Sequence, residues 1–359
     1  MKKILFLISI IFLLTGCYDY IEVDNLSFIS SIAVDYDNEN NSFLVSYEVL
    51  KASKEGGAVK NEKSNIISAK GKNISDAFDN ASLKVDNVPY FYHLKIIVIS
   101  KEIANNYVKE LLDYILRNPD VKNEFFLCIT QNTKAIDLIK QTTEKDPDMG
   151  EKLFQMIKNN KYQNNITIDQ NFETTLKYFL NDNLSALLNT FKIKDDNVIQ
   201  AGVAAFKGYK LQKIFTEEES ALFNLINQKD CNLLLTNYYD NDLLTINLYE
   251  SNTDIKIKNN EIILNVTALG EIKNNTTNFD LIDEEVYKKL NIDFSNNLNK
   301  KLTYFIDELK KEDIDLLKVN DKYYQKTGKK YNIFNLYDIK INSNVQIDKK
   351  GLIFNIDYK

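Results

Sequence analysis

The 359-residue chain is acidic, with 45 basic and 51 acidic side chains and one histidine. A protein that binds nucleic-acid phosphates needs net positive charge or at least a basic stripe, and this sequence has neither. Its hydrophobic content of 44%, with 21 Tyr and 20 Phe, is typical of a globular protein. A chain of this length suits roughly two or three domains.

The first 17 residues have the pattern of a bacterial lipoprotein signal peptide. Lys2 and Lys3 supply positive charge, and residues 4–14 form an apolar run that is too short to span a bilayer as a helix. The run ends in Leu-Thr-Gly-Cys, which predicts cleavage between Gly16 and Cys17 and a diacylglyceryl group on the Cys17 thiol. The alternatives are an ordinary signal peptide with a chance cysteine, or a signal anchor. Because two acyl chains anchor stably, we expect the mature chain on the outer face of the cytoplasmic membrane.

Residues 17–191 alternate between strand and helix patterns, which predicts an N-terminal α+β domain with a candidate subdivision near residue 140. Strands are predicted at 26–36, 42–51, 66–69, 94–99 and 124–130, and helices at 75–85, 103–115 and 172–180. Ser75 is the expected N-cap of the first helix, and Pro119 stops the second. The polar segment 143–165 is the best candidate for a flexible excursion.

Residues 197–359 are predicted to form a C-terminal α+β domain with a mainly antiparallel pattern. A hairpin at 198–206 and 210–215 precedes a short helix that Thr216 opens as N-cap. Strands are predicted at 233–236, 244–248, 254–258 and 261–272. A long helix over about 283–318 carries apolar residues at i,i+4 spacing, so its stripe should cover a sheet. A strand at 337–347, a turn at Lys350-Gly351 and a last strand end the chain. The predicted class is therefore multi-domain α+β, with mixed or antiparallel sheets.

Two cysteines follow Cys17. Cys128 and Cys231 are far apart, and each stands inside a hydrophobic stretch. A disulfide between them is one interpretation, and two buried free thiols are the favoured one. Neither has the spacing of a zinc ligand.

The residues that carry chemistry are few. His93 is the single histidine, at the entrance to the predicted strand 94–99, and a structural role is favoured over that of a general base. A hydrolase would have to use it, yet no Gly-x-Ser-x-Gly elbow accompanies it. Residues 326–328 (Lys-Thr-Gly) lack the Ser-x-x-Lys partner of penicillin-interacting enzymes, so we interpret them as a surface turn. The acids at 217–219 and 280–285 fit helix starts, although spacing alone does not exclude a glycosidase. No motif indicates a metal or a cofactor.

Short stretches in order along the chain carry a resemblance to a known family. They are residues 17–19 (CYD), 21–26 (IEVDNL), 32–35 (IAVD), 89–99 (PYFYHLKIIVI), 111–120 (LLDYILRNPD), 201–208 (AGVAAFKG) and 350–353 (KGLI). With them the sequence resembles the Ger(x)C family of spore germination lipoproteins, the C subunits of nutrient germinant receptors. Two positions depart from the family pattern. Tyr18 stands where Trp is usual, and Tyr92 stands where a small residue is usual.

The resemblance implies a function that the residues alone do not. It implies an α+β, non-enzymatic protein on the outer face of the spore inner membrane, in a complex with integral membrane A and B subunits. The complex would detect a small-molecule nutrient. No ligand-binding residue can be carried over, so Cys17 is the one predicted site, with Gly16 before the cleavage point. His93 and the tyrosines at 90 and 92 are predicted to pack. The alternatives are the solute-binding lipoprotein of a transporter, a cell-wall hydrolase and an assembly lipoprotein.

Overall fold

The computed structural model describes residues 22–349 except 56–57, 142–146, 160–164 and 282. The strands are β1 (Leu26–Asp37), β2 (Ser42–Glu55), β3 (Ala58–Gly71), β4 (Val88–Tyr90), β5 (Ile96–Ile99), β6 (Phe126–Thr130), β7 (Ser185–Lys194), β8 (Asn197–Lys207), β9 (Lys210–Ile214), β10 (Asp230–Tyr239), β11 (Asp242–Lys258), β12 (Glu261–Asn275) and β13 (Asp338–Lys349). The helices are α1 (Ile74–Ser82), α2 (Lys101–Asn106), α3 (Val108–Arg117), α4 (Ala135–Ile139), α5 (Met149–Lys158), α6 (Phe172–Phe179), α7 (Glu217–Asn227), α8 (Glu284–Lys311), α9 (Val319–Thr327) and α10 (Ile333–Leu336). Short 3-10 turns occupy Val23–Asn25 and Phe91–His93.

The first sheet has nine strands in the order β3-β2-β1-β5-β6-β7-β8-β9, and β4 pairs with the start of β1. Strands β1, β5, β6 and β7 run parallel to one another, so they begin at the same end of the sheet. We call this end the amino end. Strand β4 is also parallel to β1, and Val88 pairs with Leu26 there. Every residue of β5 and β6 is buried, as continuous apolar runs in an interior parallel strand predict.

Helix α1 returns the chain from the far end of this sheet to the amino end. Gly71, the last residue of β3, pairs with Phe43 at the far end, and α1 follows it. Asn73 caps the helix by accepting a hydrogen bond from the backbone N–H of Asp76 at 2.8 Å. The prediction of Ser75 as N-cap was wrong. Asn73 already has the extended backbone and the side-chain acceptor that a cap needs, so the helix begins two residues earlier.

The helix predicted over 103–115 is two helices, α2 and α3, which are broken at Tyr107. The Tyr107 ring packs against the rings of Tyr36 and Phe43, with centroids 4.7 and 4.9 Å away. The apolar positions continue across the break, which is why the sequence pattern predicted one helix. The end of α3 at Arg117, just before Asn118-Pro119, agrees with the predicted stop.

Helix α5 lies inside the polar segment that the sequence predicted as a flexible excursion. Met149, Leu153 and Ile157 are buried along one side of it. The prediction of a flexible excursion was therefore wrong for the helical part of the segment. The three apolar residues repeat at helical spacing among polar ones, which gives the helix one side to bury. Residues 142–146 and 160–164 of the same segment lie outside the described part of the chain.

The second sheet has the order β10-β11-β12-β13, and α8 covers one face of it. Six residues of the predicted stripe are buried: Leu290, Phe294, Leu298, Leu302, Phe305 and Leu309. Ile306, which the pattern did not include, is buried beside them. The long helix is confirmed, and it ends at Lys311 rather than near residue 318. The pairs β10–β11 and β11–β12 are antiparallel, but β13 is parallel to β12. The predicted turn at Lys350-Gly351 and the strand after it lie outside the described residues.

The hairpin of β8 and β9, which the sequence placed at the start of the C-terminal domain, extends the first sheet through β7. Alternate residues of β8 enter two cores. Ala204 and Phe206 belong to the core of the first half, and Val203 and Ala205 belong to the core beneath α8. The α+β class with mixed sheets is confirmed. The predicted boundary at residues 191–197 spans the turn between β7 and β8, which pair with each other. The division of the chain into 17–191 and 197–359 therefore stays a prediction about folding units.

Candidate functional site

The first described residues after the predicted lipid site lie at the amino end of the first sheet. Cys17 and Gly16 lie outside the described residues, and Glu22 is the first residue that is described. The turn Val23–Asn25 follows it, and β1 begins at Leu26. A fully extended chain covers at most about 3.6 Å per residue, so Glu22 lies within about 18 Å of Cys17 whatever path the chain takes. A lipid on Cys17 would therefore hold the amino end close to the bilayer.

Aromatic side chains gather where β1 and β4 begin. Phe28 on β1 pairs in register with Tyr90 on β4, and their ring centroids are 5.3 Å apart. The His93 ring meets Phe28 edge-on at 6.4 Å, and Tyr92 stacks on Tyr90 at 5.2 Å. The predicted packing role of these residues is thus consistent with the geometry. Tyr92 is half-exposed, so one side of the cluster faces outward.

A cleft of about 230 Å³ opens beside this aromatic cluster, and Tyr92, His93, Lys95, Lys122, Lys158 and Asn171 contribute to its wall. Each lysine lies over an aromatic ring: Lys122 is 4.3 Å from the centroid of Tyr92, and Lys95 is 4.9 Å from that of Phe154. Two of them are also ion-paired, Lys95 with Glu151 at 3.5 Å and Lys158 with Asp169 at 2.6 Å. The positive charges of these lysines are therefore partly balanced by contacts within the protein.

Within the described residues, His93 has the aromatic environment of a packing residue. Its ring contact is with Phe28, and no Ser, Cys or carboxylate in the described part of the chain forms a hydrogen bond to it. A nucleophile and a base in a hydrolase must lie within hydrogen-bond reach of each other. This arrangement can hold the turn Phe91–His93 against β1.

Two buried carboxylates of the first half act as helix caps. Glu48 on β2 accepts hydrogen bonds from the backbone N–H groups of Met149 (2.7 Å) and Gly150 (2.9 Å) at the start of α5. Asp35 on β1 does the same for Ala135 (2.7 Å) and Ile136 (2.9 Å) at the start of α4. Burial raises the pKa of both carboxyls, and the backbone hydrogen bonds oppose that shift. Sequence reasoning did not single out Glu48. The available signal was an acid between Tyr47 and Val49 in an apolar strand.

A third buried acid, Asp315, lies in the turn between α8 and α9. Its Oδ2 accepts a hydrogen bond from the backbone N–H of Asn320 at 2.7 Å. Its Oδ1 meets no hydrogen-bond donor among the described residues. Burial raises the pKa of this carboxyl to about 6, although backbone N–H groups of the turn lower it. Backbone N–H groups donate to all three buried acids, so each has a structural role in a turn or at a helix start.

Both later cysteines are buried and free, which confirms the favoured interpretation of the sequence. Cys128 is at the centre of β6, where burial raises the pKa of its thiol well above the usual value. Cys231 is on β10, and burial raises the pKa of its thiol to about 11. Thiols in this state react slowly, because the thiolate is the reactive form.

The other acidic and basic motifs lie at helix ends, as the sequence indicated. Thr216 and Glu219 form a reciprocal capping box at the start of α7. Asp283 caps α8 by accepting from the backbone N–H of Glu285 at 2.8 Å. Gly328, with φ +68°, ends α9 in the left-handed conformation. In the described portion of the sequence, no group of three or more His, Cys, Asp and Glu side chains could hold a metal ion.

None of the described helices is both long enough and apolar enough to cross a membrane. The helix α8 is long, but charged and amide residues surround its apolar stripe.

Comparison with known protein families matches nearly the whole chain. Residues 19–193 match the spore germination protein N-terminal domain, and residues 201–351 match the spore germination B3/GerAC-like C-terminal domain. Residues 1–17 match the prokaryotic membrane lipoprotein lipid attachment site.

Individual proteins show the same similarity. The chain is 24% identical to spore germination protein KC of Bacillus subtilis (strain 168), over 90% of this chain and 86% of that protein. It is 26% identical to spore germination protein GerQC of Bacillus cereus, over 88% of each chain. The crystal structure of the GerBC protein superposes with a TM-score of 0.58 at 18% identity, covering 91% of this chain and 99% of that one. The last similarity shows a shared fold.

Proposed function

This chain belongs to the Ger(x)C family of spore germination proteins, and we propose that it is the lipid-anchored, non-enzymatic C subunit of a nutrient germinant receptor. The observation that carries the proposal is the order of the three matches: a lipid attachment site, then the N-terminal and C-terminal germination domains. Together they account for both halves of the chain and for its attachment to a membrane.

The proposed location is the outer face of the spore inner membrane, with the lipid on Cys17. There the chain would join integral membrane A and B subunits, and the complex would respond to a small-molecule nutrient. Confinement to one membrane surface raises the effective concentration of partners in the same membrane, so modest interfaces suffice for assembly. The half-exposed aromatic cluster and the lysine-lined cleft at the amino end are near the anchor and available for such contacts.

The proposed absence of turnover is supported by how the chemically active side chains are used. The carboxylates of Glu48 and Asp35 cap helices, and the thiols of Cys128 and Cys231 are buried. His93 packs on Phe28. Each of these groups is either buried or held by a structural partner, and we infer that the protein works by holding a complex together.

Deletion of the gene in the spore-forming source tests the proposal. Spores that lack the chain should lose the response to one nutrient or one class of nutrients. They should still germinate with an agent that bypasses receptors by acting on the downstream ion channel or on cortex hydrolysis. Restoring the intact chain should restore the nutrient response, and restoring Cys17→Ala should do so poorly.

Two outcomes would contradict the proposal in different ways. Failure of both the nutrient and the bypass routes would place the chain in the downstream machinery. A fall in nutrient uptake by growing cells, with germination unchanged, would favour the solute-binding alternative.

A further inference from the structure

The amino end of the first sheet carries a group of exposed apolar side chains. They are between 48% and 83% exposed: Val23, Leu83, Val88, Tyr92 and Leu116. Val23 and Val88 are neighbours, because Leu26 pairs with Val88 and the side chain of Asn87 donates to the backbone oxygen of Asp24 at 3.4 Å. Single exposed apolar residues are ordinary on a protein surface, but a group at one end indicates a contact.

Leu83 directly follows α1, and Leu116 lies in the last turn of α3. Helices α1 and α3 pack side by side, with the rings of Phe78 and Tyr114 4.3 Å apart. Helix α1 leads into β4 and α3 leads toward β6, so both helices run toward the end of the sheet where those strands begin. Lys122, in the segment after α3, lies over the ring of Tyr92 and joins the two parts of the surface.

The amino end carries little net charge, and its charge density is similar to that of the whole mature chain. Without residues 1–16 the sequence has 43 basic and 51 acidic side chains, a net charge of −8. The segments that form the amino end are nearly balanced, with Lys84, Lys95, Arg117 and Lys122 against Glu22, Asp24, Asp86, Asp120 and Glu124. Since the net charge of this end is small, its repulsion by an anionic bilayer is weak, and the exposed apolar side chains and the nearby anchor are what single it out.

We propose that the amino end rests on the phospholipid headgroup region of the bilayer, with Val23, Leu83, Val88, Tyr92 and Leu116 in contact with lipid. This inference rests on the lipid at Cys17 in the proposed function. The tether of about 18 Å from Cys17 to Glu22 keeps this end, rather than another, at the membrane surface. Tyrosine prefers the interface because its ring is apolar and its hydroxyl is wet, while shallow apolar side chains add buried area. The second half of the chain would then point away from the bilayer.

Fluorescence quenching by spin-labelled lipid tests this orientation. The full lipidated chain is reconstituted in vesicles of phosphatidylethanolamine and phosphatidylglycerol that contain a headgroup nitroxide lipid. An environment-sensitive fluorophore is attached in turn to Val88→Cys and Tyr92→Cys. Matched controls are Leu234→Cys on β10 and Tyr304→Cys on α8, which are at least as exposed but belong to the second half. The two native thiols are buried and should remain unlabelled.

We expect at least a severalfold greater quenching at Val88 and Tyr92 than at the two control positions. Equal quenching at all four, or greater quenching at the controls, would overturn the proposed orientation. A further outcome is that spin-labelled lipid never quenches the fluorophores at Val88 and Tyr92, while added integral receptor subunits shield them from solvent. In that case the surface binds protein and the proposal is wrong. The vesicles contain no nutrient and give no germination signal. Failure here is therefore separate from failure of the deletion experiment.

Discussion

The carboxylate of Glu48 lies 2.9 Å from the backbone nitrogen of Gly150, although 102 residues separate the two in the chain. Glu48 is fully buried, and each of its two carboxylate oxygens accepts two hydrogen bonds. One accepts from Ser64 and the N–H of Met149, and the other accepts from Ser31 and the N–H of Gly150. A single side chain on β2 therefore fixes the first turn of α5.

Replacing Glu48 with Gln should destabilise the protein markedly. The glutamine NH₂ group would face the backbone N–H of either Met149 or Gly150, which places one donor against another. A hydroxyl can rotate its hydrogen away from such a contact, but a backbone N–H cannot. We expect a loss of about 2–4 kcal/mol in the free energy of unfolding, measured by urea titration. Glu39→Gln, in the exposed turn between β1 and β2, is the control and should change it by less than about 0.5 kcal/mol. A Glu48→Gln effect as small as the control's would mean that the cap is dispensable.

Asp315 should give the stability of the protein a pH dependence in the acid range. Burial raises its pKa to about 6, above the unfolded value of about 3.9, so the folded state holds the proton to higher pH. The folded state then binds more protons than the unfolded state between about pH 4 and pH 6. Its contribution to stability is full below this window and is lost as the pH rises through it, by roughly 2–3 kcal/mol.

The variant Asp315→Asn isolates this contribution. The difference in the free energy of unfolding between parent and variant, measured by urea titration at several pH values, should shift in the variant's favour by that amount between pH 4 and pH 6. A constant difference across the window would show that Asp315 keeps an ordinary pKa in the folded protein.

Gly202 on β8 should not tolerate a side chain. Its φ of +105° is rarely adopted by other residues, and a Cβ there would lie 2.5 Å from Oγ of Ser220 and 3.0 Å from the carbonyl oxygen of Phe215. We expect Gly202→Ala to lower the free energy of unfolding by about 3 kcal/mol or more. Gly208→Ala, in the open turn after β8, meets no atom within 4 Å and should cost about 1 kcal/mol, from its left-handed φ of +55° alone. Similar losses in thermal or urea unfolding for the two variants would contradict this.

The anchor itself is tested by labelling. Cells that express the parent chain should incorporate a palmitate analogue into it, and Cys17→Ala should show no label. The variant should be unprocessed or released from the membrane, while its folded part is unaffected because β1 begins nine residues later at Leu26. Equal label in parent and variant would end the lipoprotein assignment.

Local patterns in the sequence were sufficient for many elements of this fold. The i,i+4 stripe of α8, the Thr216 cap of α7 and the alternation in β13 each depend on residues that are close in the chain. Long-range features were not predictable in this way. The parallel pairing of β13 with β12 depends on where α8 returns the chain, and the sequence pattern of a strand does not encode the direction of its neighbour.

The candidate site divides in the same manner. The lipid attachment motif and the aromatic run around His93 were visible in the sequence. The apolar surface at the amino end was not, because Val23, Val88 and Leu116 are ordinary residues until the sheet and the ends of α1 and α3 bring them to one place. Glu48 was missed for a similar reason: its partners at Met149 and Gly150 are about 100 positions away, as the 101-residue separation of the first contact shows.

The alternation along β8 makes the length of that strand critical. Val203 and Ala205 face one core, and Ala204 and Phe206 face the other. Insertion of one residue before Val203 would move each later residue one position along the strand, so Ala205 would occupy the place of Phe206 and leave a void, and the Phe206 ring would move to the exposed position of Lys207. Insertion of a single codon in the strand would disrupt the packing of both cores, whereas the same insertion in the exposed turn at Gly208 would disrupt neither. Natural variation in chain length should therefore be found at the turn and be absent from the strand.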